Sequence, residues 1–135
     1  MARADRTRGA SSADARAFLG KAEEFLEAAR LAVASGYRTA ATGLAVHAGI
    51  AASDSVTSAR LGKRSASPDH RAVMNLLSQA GDEGVVVSRA LGRLFPLKNR
   101  AEYEPRDPTK QQMEQALRAA EQAVAAAKRA IGQLA

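Results

Sequence analysis

Apolar residues recur at intervals of three and four along most of the chain, the spacing that places side chains on one face of an α-helix. A first helix is predicted from a cap at Ser11 to about Ser35, with Asp14 positioned for a variant of the capping box. Gly36 ends it. Its core-facing residues are Phe18, Ala22, Phe25, Ala29 and Val33.

Small residues characterise the second predicted helix, which runs from about Tyr37 to Leu61 and stops at Gly62. They allow a neighbouring helix to approach closely, whether that helix belongs to the same chain or to a second copy. These residues are Gly43, Ala45, Ala48, Gly49, Ala51 and Ala52.

Capping signals place the third and fifth helices. Ser67 as cap and Pro68 in the first helical position start a short third helix, which is predicted to end at Gly81. Asp107 is predicted to cap the fifth helix, which continues to about Gln133.

The fourth helix is predicted over residues 82–103, and no segment alternates as a strand does, because the valine run at 85–87 is too short. Residues 1–10 form a basic lead with no predicted structure. The sequence therefore predicts one all-α domain over residues 11–135.

The amino-acid composition and the missing motifs exclude several classes of function. Cysteine is absent, which excludes disulfides, thiolate metal sites and cysteine nucleophiles. The chain has no apolar run of membrane-spanning length and no apolar core of a signal peptide, so we expect a cytoplasmic protein. Phosphate-loop, dinucleotide-binding and serine-hydrolase motifs are also missing, and no cofactor is expected.

The net charge of +6 favours a polyanionic partner such as RNA, DNA or an acidic protein. Two basic clusters are candidates for the contact surface, and each is open to the alternative of a merely solvated face. The first is Arg89, Arg93, Lys98 and Arg100; the second is Arg60, Lys63, Arg64 and Arg71, opposed only by Asp69.

Pro96 lies inside the fourth predicted helix, directly before the polar stretch LKNRAEYEP. Proline in a helix removes a hydrogen bond to the residue four positions earlier, so it predicts either a bend or the start of a separate helix. A bend here would aim the polar side chains into a cleft; the alternative is a solvated helix end.

Four passages together resemble the HEPN family, in particular its small stand-alone bacterial members. They are SGYRTAAT leading into the small-residue second helix, SPDHRAVMNLL after a basic loop, the fourth helix closing in LKNRAEYEP, and the amphipathic fifth helix. The resemblance implies a five-helix bundle, with a four-helix up-down core and a short extra helix. It also implies a homodimer that pairs across the second and fourth helices.

Ribonuclease members of that family carry an R-x(4–6)-H motif with a polar residue, often Asn, after the Arg. In this chain Lys98 takes the Arg position, Asn99 the polar position and Tyr103 the His position. Lysine keeps the charge that attracts phosphate, but a phenol ordinarily titrates near 10 and is a poor base at neutral pH. The resemblance therefore implies a phosphate-binding site whose catalytic half is weakened.

Two histidines are the remaining candidates for proton transfer. His47 shares one face of the second helix with Asp54, but two helical turns, about 10 Å, separate them, too far for a direct pair. His70 lies at the start of the third helix, where a structural role is expected. Neither belongs to a ligand pattern typical of a metal site.

Three functions remain open. The first is an RNA-binding protein or weak ribonuclease, acting in a toxin–antitoxin or defence system with a cognate antitoxin or nucleotidyltransferase. The second is a non-enzymatic dimeric interaction module, and the third is a DNA-binding protein. The predicted contact residues for nucleic acid or partner are His47, Asp54, Arg89, Arg93, Lys98 and Arg100.

Overall fold

The structure, a computed structural model, describes residues 6–134. Five helices confirm the all-α bundle: α1 Ser12–Ala34, α2 Arg38–Leu61, α3 His70–Leu77, α4 Gly81–Glu102 and α5 Lys110–Gly132. Two short strands accompany them: β1 Thr7–Gly9 and β2 Lys63–Ser65. Among the described residues, no helix combines the length and apolar character that crossing a membrane requires.

The long helix α2 lies at the centre of the bundle and packs against α1, α4 and α5. Most of its small residues are buried within the chain, including Ala45, Ala48 and Ala52. At Gly49 a Cβ atom would lie only 2.5 Å from Leu94 Cδ1, so the absent side chain lets α4 approach. The small face of α2 is thus used mainly inside one chain and is not by itself an argument for a dimer.

Two helix starts differ from the sequence prediction. Asp69, rather than Ser67, caps α3, and its carboxylate accepts the Arg71 N–H at 2.9 Å. Thr109, rather than Asp107, caps α5. The Asp107 carboxylate instead accepts the Thr39 hydroxyl at 2.7 Å, because tertiary packing brings the start of α2 beside this loop.

Other boundaries follow the predicted signals more closely. The capping box at the start of α1 is confirmed, with reciprocal bonds between Ser11 and Asp14. The third helix ends at Leu77, earlier than predicted, and Gly81 begins α4 in a left-handed conformation with φ +76°. A left-handed backbone at this position suits glycine, because other residues rarely adopt it.

The two strands pair antiparallel, which the sequence did not predict. Arg8 lies opposite Arg64, and backbone bonds extend the contact on both sides, from Ala10 N–H to the Gly62 carbonyl and from Ala66 N–H to the Arg6 carbonyl. Residues 6–10 therefore have structure where a structureless lead was predicted; residues 1–5 lie outside the described part. The pairing fixes the segment that follows α2.

Helix α4 continues through Pro96, so a separate helix does not start there. Gly92 and Pro96 both lie on the exposed side of α4. Solvent can hydrogen-bond the Gly92 carbonyl that proline leaves without a helical partner. The helix thereby carries Lys98 and its neighbours to the end of the bundle.

Candidate anion-binding cleft

A cleft of about 440 Å³ opens between α2, β2, the loop after β2, α3 and α4. Its polar lining comes from three separate parts of the chain, which the strand pairing and the packing of α4 on α2 bring together. The polar residues are Ser53, Asp54, Arg64, Ser65, Ser67 and Lys98. The apolar lining includes Ile50, Val73 and Phe95.

Two cations reach this cleft from different elements, Arg64 from β2 and Lys98 from α4. The Arg64 guanidinium carbon lies 5.4 Å from the centroid of the Phe18 ring, a cation–π contact that restrains it. Within residues 6–134 neither cation lies within 4.0 Å of a carboxylate oxygen. In this part of the chain neither charge is taken up by an ion pair, although Arg64 interacts electrostatically with Asp54 in the same cleft.

The carboxyl of Asp54 shares the same cleft. Burial raises its pKa from 3.8 to about 6, while the positive charge of Arg64 acts in the opposite direction and offsets only part of the effect. The carboxyl is thus mostly charged at pH 7 and mostly neutral at pH 5. In the neutral form it can donate a hydrogen bond to a bound oxyanion.

Phe95, the aromatic residue in the cleft lining, already stacks on another ring. The rings of His70 and Phe95 stack with centroids 3.7 Å apart and planes inclined by 9°. This contact ties the first residue of α3 to α4, which agrees with the structural role expected for His70. One face of Phe95 is therefore covered, and the cleft offers serine hydroxyls and charges more than a stacking platform.

His47 lies outside the lining of the cleft although it shares a face of α2 with Asp54. Its ring packs on Phe25 with centroids 5.4 Å apart, and its Nε2 lies 4.0 Å from Glu102 Oε1. The side chain is half exposed. Glu102 is thus turned towards α2 and does not pair with Lys98, the alternative partner on its own helix.

The three residues at the motif positions do not converge. Lys98 lines the cleft, but Asn99 is exposed and Tyr103, the residue that follows α4, is 75% exposed. Residues on a helix are rotated by about 100° per position, so position 103 points roughly 140° away from position 98. Within one chain, only the lysine of this group contributes to the cleft.

The first basic cluster divides between two sides of α4. Arg89 and Arg93 line hollows between α4 and α5, whereas Lys98 lies on the cleft side. Arg100 pairs with Glu104 at 3.0 Å. Position 98 lies roughly half a helical turn from positions 89 and 100, so the four residues of this cluster do not share one face of α4.

The second basic cluster is also divided. Arg60 donates to Glu83 at 2.5 Å and to Gln133, which ties α2 to α4 and to the end of α5. Arg64 enters the cleft instead. Within residues 6–134, no three His, Asp or Glu side chains are grouped so that they could hold a metal ion.

A protein-family model described as HEPN domain matches residues 15–130 of the chain. The chain belongs to the HEPN family. No curated protein matches it. The match covers all five helices except the first residues of α1 and the last residues of α5. The cleft therefore lies within the HEPN domain.

For this HEPN domain, sequence reasoning identified Lys98 and Asp54 but missed their neighbours. Ser65 and Phe95 were not predicted as site residues, Ser67 was predicted only as a helix cap, and Arg64 was assigned to the second basic cluster. The available signal was the basic, serine-rich segment KRSAS directly after the glycine that ends α2. Its position relative to α4 depends on β1, which the sequence did not reveal.

Proposed function

We propose that this HEPN protein binds RNA by holding a backbone phosphate in the cleft between Arg64 and Lys98, and that it cleaves RNA weakly or not at all. The observation that carries the proposal is the convergence of these two cations, from separate elements, on one cavity that also presents serine hydroxyls. The family alone does not decide the ligand.

The chemistry of the lining suits a phosphate group. An arginine guanidinium offers two parallel N–H donors to two phosphate oxygens, and a lysine ammonium adds a compact charge. Serine hydroxyls can donate to the remaining oxygens. The net charge of +6 draws a polyanion towards the protein before these contacts form.

Weak cleavage follows from the missing acid–base pair. Efficient metal-independent cleavage needs groups that exchange protons within hydrogen-bonding reach of the reacting atoms. Neither histidine lines the cleft, and Tyr103 lies away from it. Among the described residues that line the cleft, Asp54 is left as the acid–base group, with its pKa raised to about 6.

Charge-removing variants test the proposal with a labelled single-stranded RNA and fluorescence anisotropy. We expect Arg64→Gln and Lys98→Gln each to weaken binding by about tenfold and to reduce the salt slope by about one. Arg89→Gln is the matched control, since it removes the same charge on the far side of α4. An equal loss of RNA affinity in all three variants would show only a general electrostatic attraction between the basic protein and RNA. Equal affinity for single-stranded DNA of the same sequence would contradict a preference for RNA.

We propose a toxin–antitoxin or defence setting for this function, because the HEPN family is associated with such systems. A neighbouring gene for a nucleotidyltransferase or a small antitoxin supports that setting. An isolated gene counts against it. This part of the proposal is independent of the phosphate site and fails separately from it.

A further inference from the structure

A second charged surface lies between α4 and α5, on the side of α4 away from the cleft. It consists of two adjoining hollows of about 430 and 320 Å³ that share Arg93 and Gln122. The Arg93 guanidinium donates to the Gln122 side-chain oxygen at 3.0 Å. We call the two hollows together the α4–α5 groove.

Four exposed arginines border the α4–α5 groove, and among residues 6–134 no acidic side chain lines either hollow. Arg89 and Arg93 stand on α4, while Arg118 and Arg129 stand on α5. The floor has a small apolar surface from Val86 and Ala125, whereas Ala119 is only 1% exposed. Charged side chains therefore flank a small apolar floor.

The lining is arranged along a straight line. On α5 the lining residues recur at intervals of three and four, with Ala119 beside Arg118: Gln111, Gln115, Arg118, Ala119, Gln122, Ala125 and Arg129. Residues at this spacing occupy one face of the helix. From the first to the last of these residues the groove extends about 27 Å, the length of a helix of about 18 residues.

We infer that the α4–α5 groove docks an acidic amphipathic helix of a partner protein. The small apolar floor accepts the apolar stripe of such a helix, and the arginine rim pairs with carboxylates on its flanks. An RNA strand fits less well, because the groove lining contains no aromatic ring on which a base could stack and RNA offers no apolar stripe to the floor.

A second copy of the chain is a poor occupant. Two exposed acids of α1 already have partners, since Glu23 pairs with Lys128 and Glu27 with Arg30. The net charge of +6 on each copy also opposes association through a basic surface. Charge complementarity therefore points to a different, acidic chain.

A synthetic peptide tests this inference by fluorescence anisotropy. The probe is a labelled helix of about three heptads, with Leu and Ala on the inner positions and Glu on the flanking positions. We expect saturable binding that weakens as salt rises and that falls about tenfold in Arg93→Glu and in Arg118→Glu. The peptide in which Gln replaces every Glu should bind weakly, and Arg16→Glu, on the exposed side of α1, should leave affinity unchanged.

Circular dichroism of each variant shows whether a loss of peptide binding comes from the changed groove or from unfolding. If Arg93→Glu and Arg118→Glu reduce RNA affinity and leave peptide affinity unchanged, the groove binds nucleic acid and the inference is overturned. Absence of saturable peptide binding to the wild type overturns it as well. Neither result bears on the proposal that the cleft around Lys98 binds phosphate, because the cleft variants are measured separately.

Discussion

Replacing Asp54 by Asn should stabilise the protein at neutral and alkaline pH and change little below pH 4. The carboxyl lies in the cleft, where burial raises its pKa from 3.8 to about 6. Asparagine has nearly the same shape and hydrogen-bonding capacity but no charge to bury. The change therefore isolates the cost of the buried carboxylate.

The sign and size of the effect follow from proton linkage. Below pH 3.8 the carboxyl is protonated in both the folded and the unfolded chain, so it has no charge to bury. As pH rises to about 6, the unfolded chain ionises first and the folded state loses stability; above that the loss is constant. The full difference corresponds to about 3 kcal/mol, and partial exposure of Asp54 to solvent lowers our expectation to about 1–3 kcal/mol.

Urea denaturation followed by circular dichroism, repeated across pH, measures the difference between wild type and Asp54→Asn. We expect a difference near zero at about pH 4 that grows to its maximum above about pH 7. The same substitution should strengthen RNA binding at pH 8, because it removes a negative charge beside the phosphate.

A pH-independent difference between the two proteins would refute the reasoning. So would destabilisation by Asp54→Asn at pH 8, since that result would mean that the folded state stabilises the carboxylate, for example through Arg64, more than burial disfavours it. In either case the account of the cleft as a site with a buried, partly neutral acid would be wrong.

Three further predictions concern packing, catalysis and assembly. Gly84→Ala should destabilise the fold by about 1–3 kcal/mol or more, measured by thermal or urea unfolding, because its Cβ would lie 2.2 Å from the Leu77 carbonyl oxygen. Gly20→Ala is the control: its Cβ meets nothing within 4 Å, so it should be neutral or stabilising. Purified protein should degrade labelled RNA slowly, and Tyr103→His should leave the rate unchanged, because position 103 lies outside the cleft lining; rapid cleavage abolished by Tyr103→Phe would contradict this. Light scattering should give twice the 14.1 kDa chain mass, as the family resemblance implies, and a clean monomer would rule out the dimer.

The five helices could be predicted because their apolar spacing and caps are local signals. Two starts were misplaced where two capping residues lie two positions apart. At α3 the Ser67 hydroxyl accepts the Asp69 N–H and Asp69 caps the helix. At α5 a tertiary contact with Thr39 engages Asp107, and Thr109 caps the helix. The pairing of residues 7–9 with 63–65 could not be predicted, because three-residue strands carry no periodicity and the partners are distant in sequence.

The candidate site was predictable only in part for the same reason. Lys98 and Asp54 stood out as polar residues on helices with known faces. Arg64 reaches the cleft through β2, whose position depends on the unpredicted strand pair. A helical projection of α4 does separate Lys98 from Arg89, and it is the local signal that would have divided the first basic cluster.

Mapping of backbone amide shifts by NMR, during titration with a short single-stranded RNA, tests the central claim most directly. We predict that saturable shifts concentrate at residues 63–67 and around Lys98 and that RNA affinity rises as pH falls through about 6. In Arg64→Gln the same shifts should need about tenfold more RNA to saturate. Shifts confined to the α4–α5 groove, or no saturable shifts at low salt, would contradict phosphate binding in the cleft.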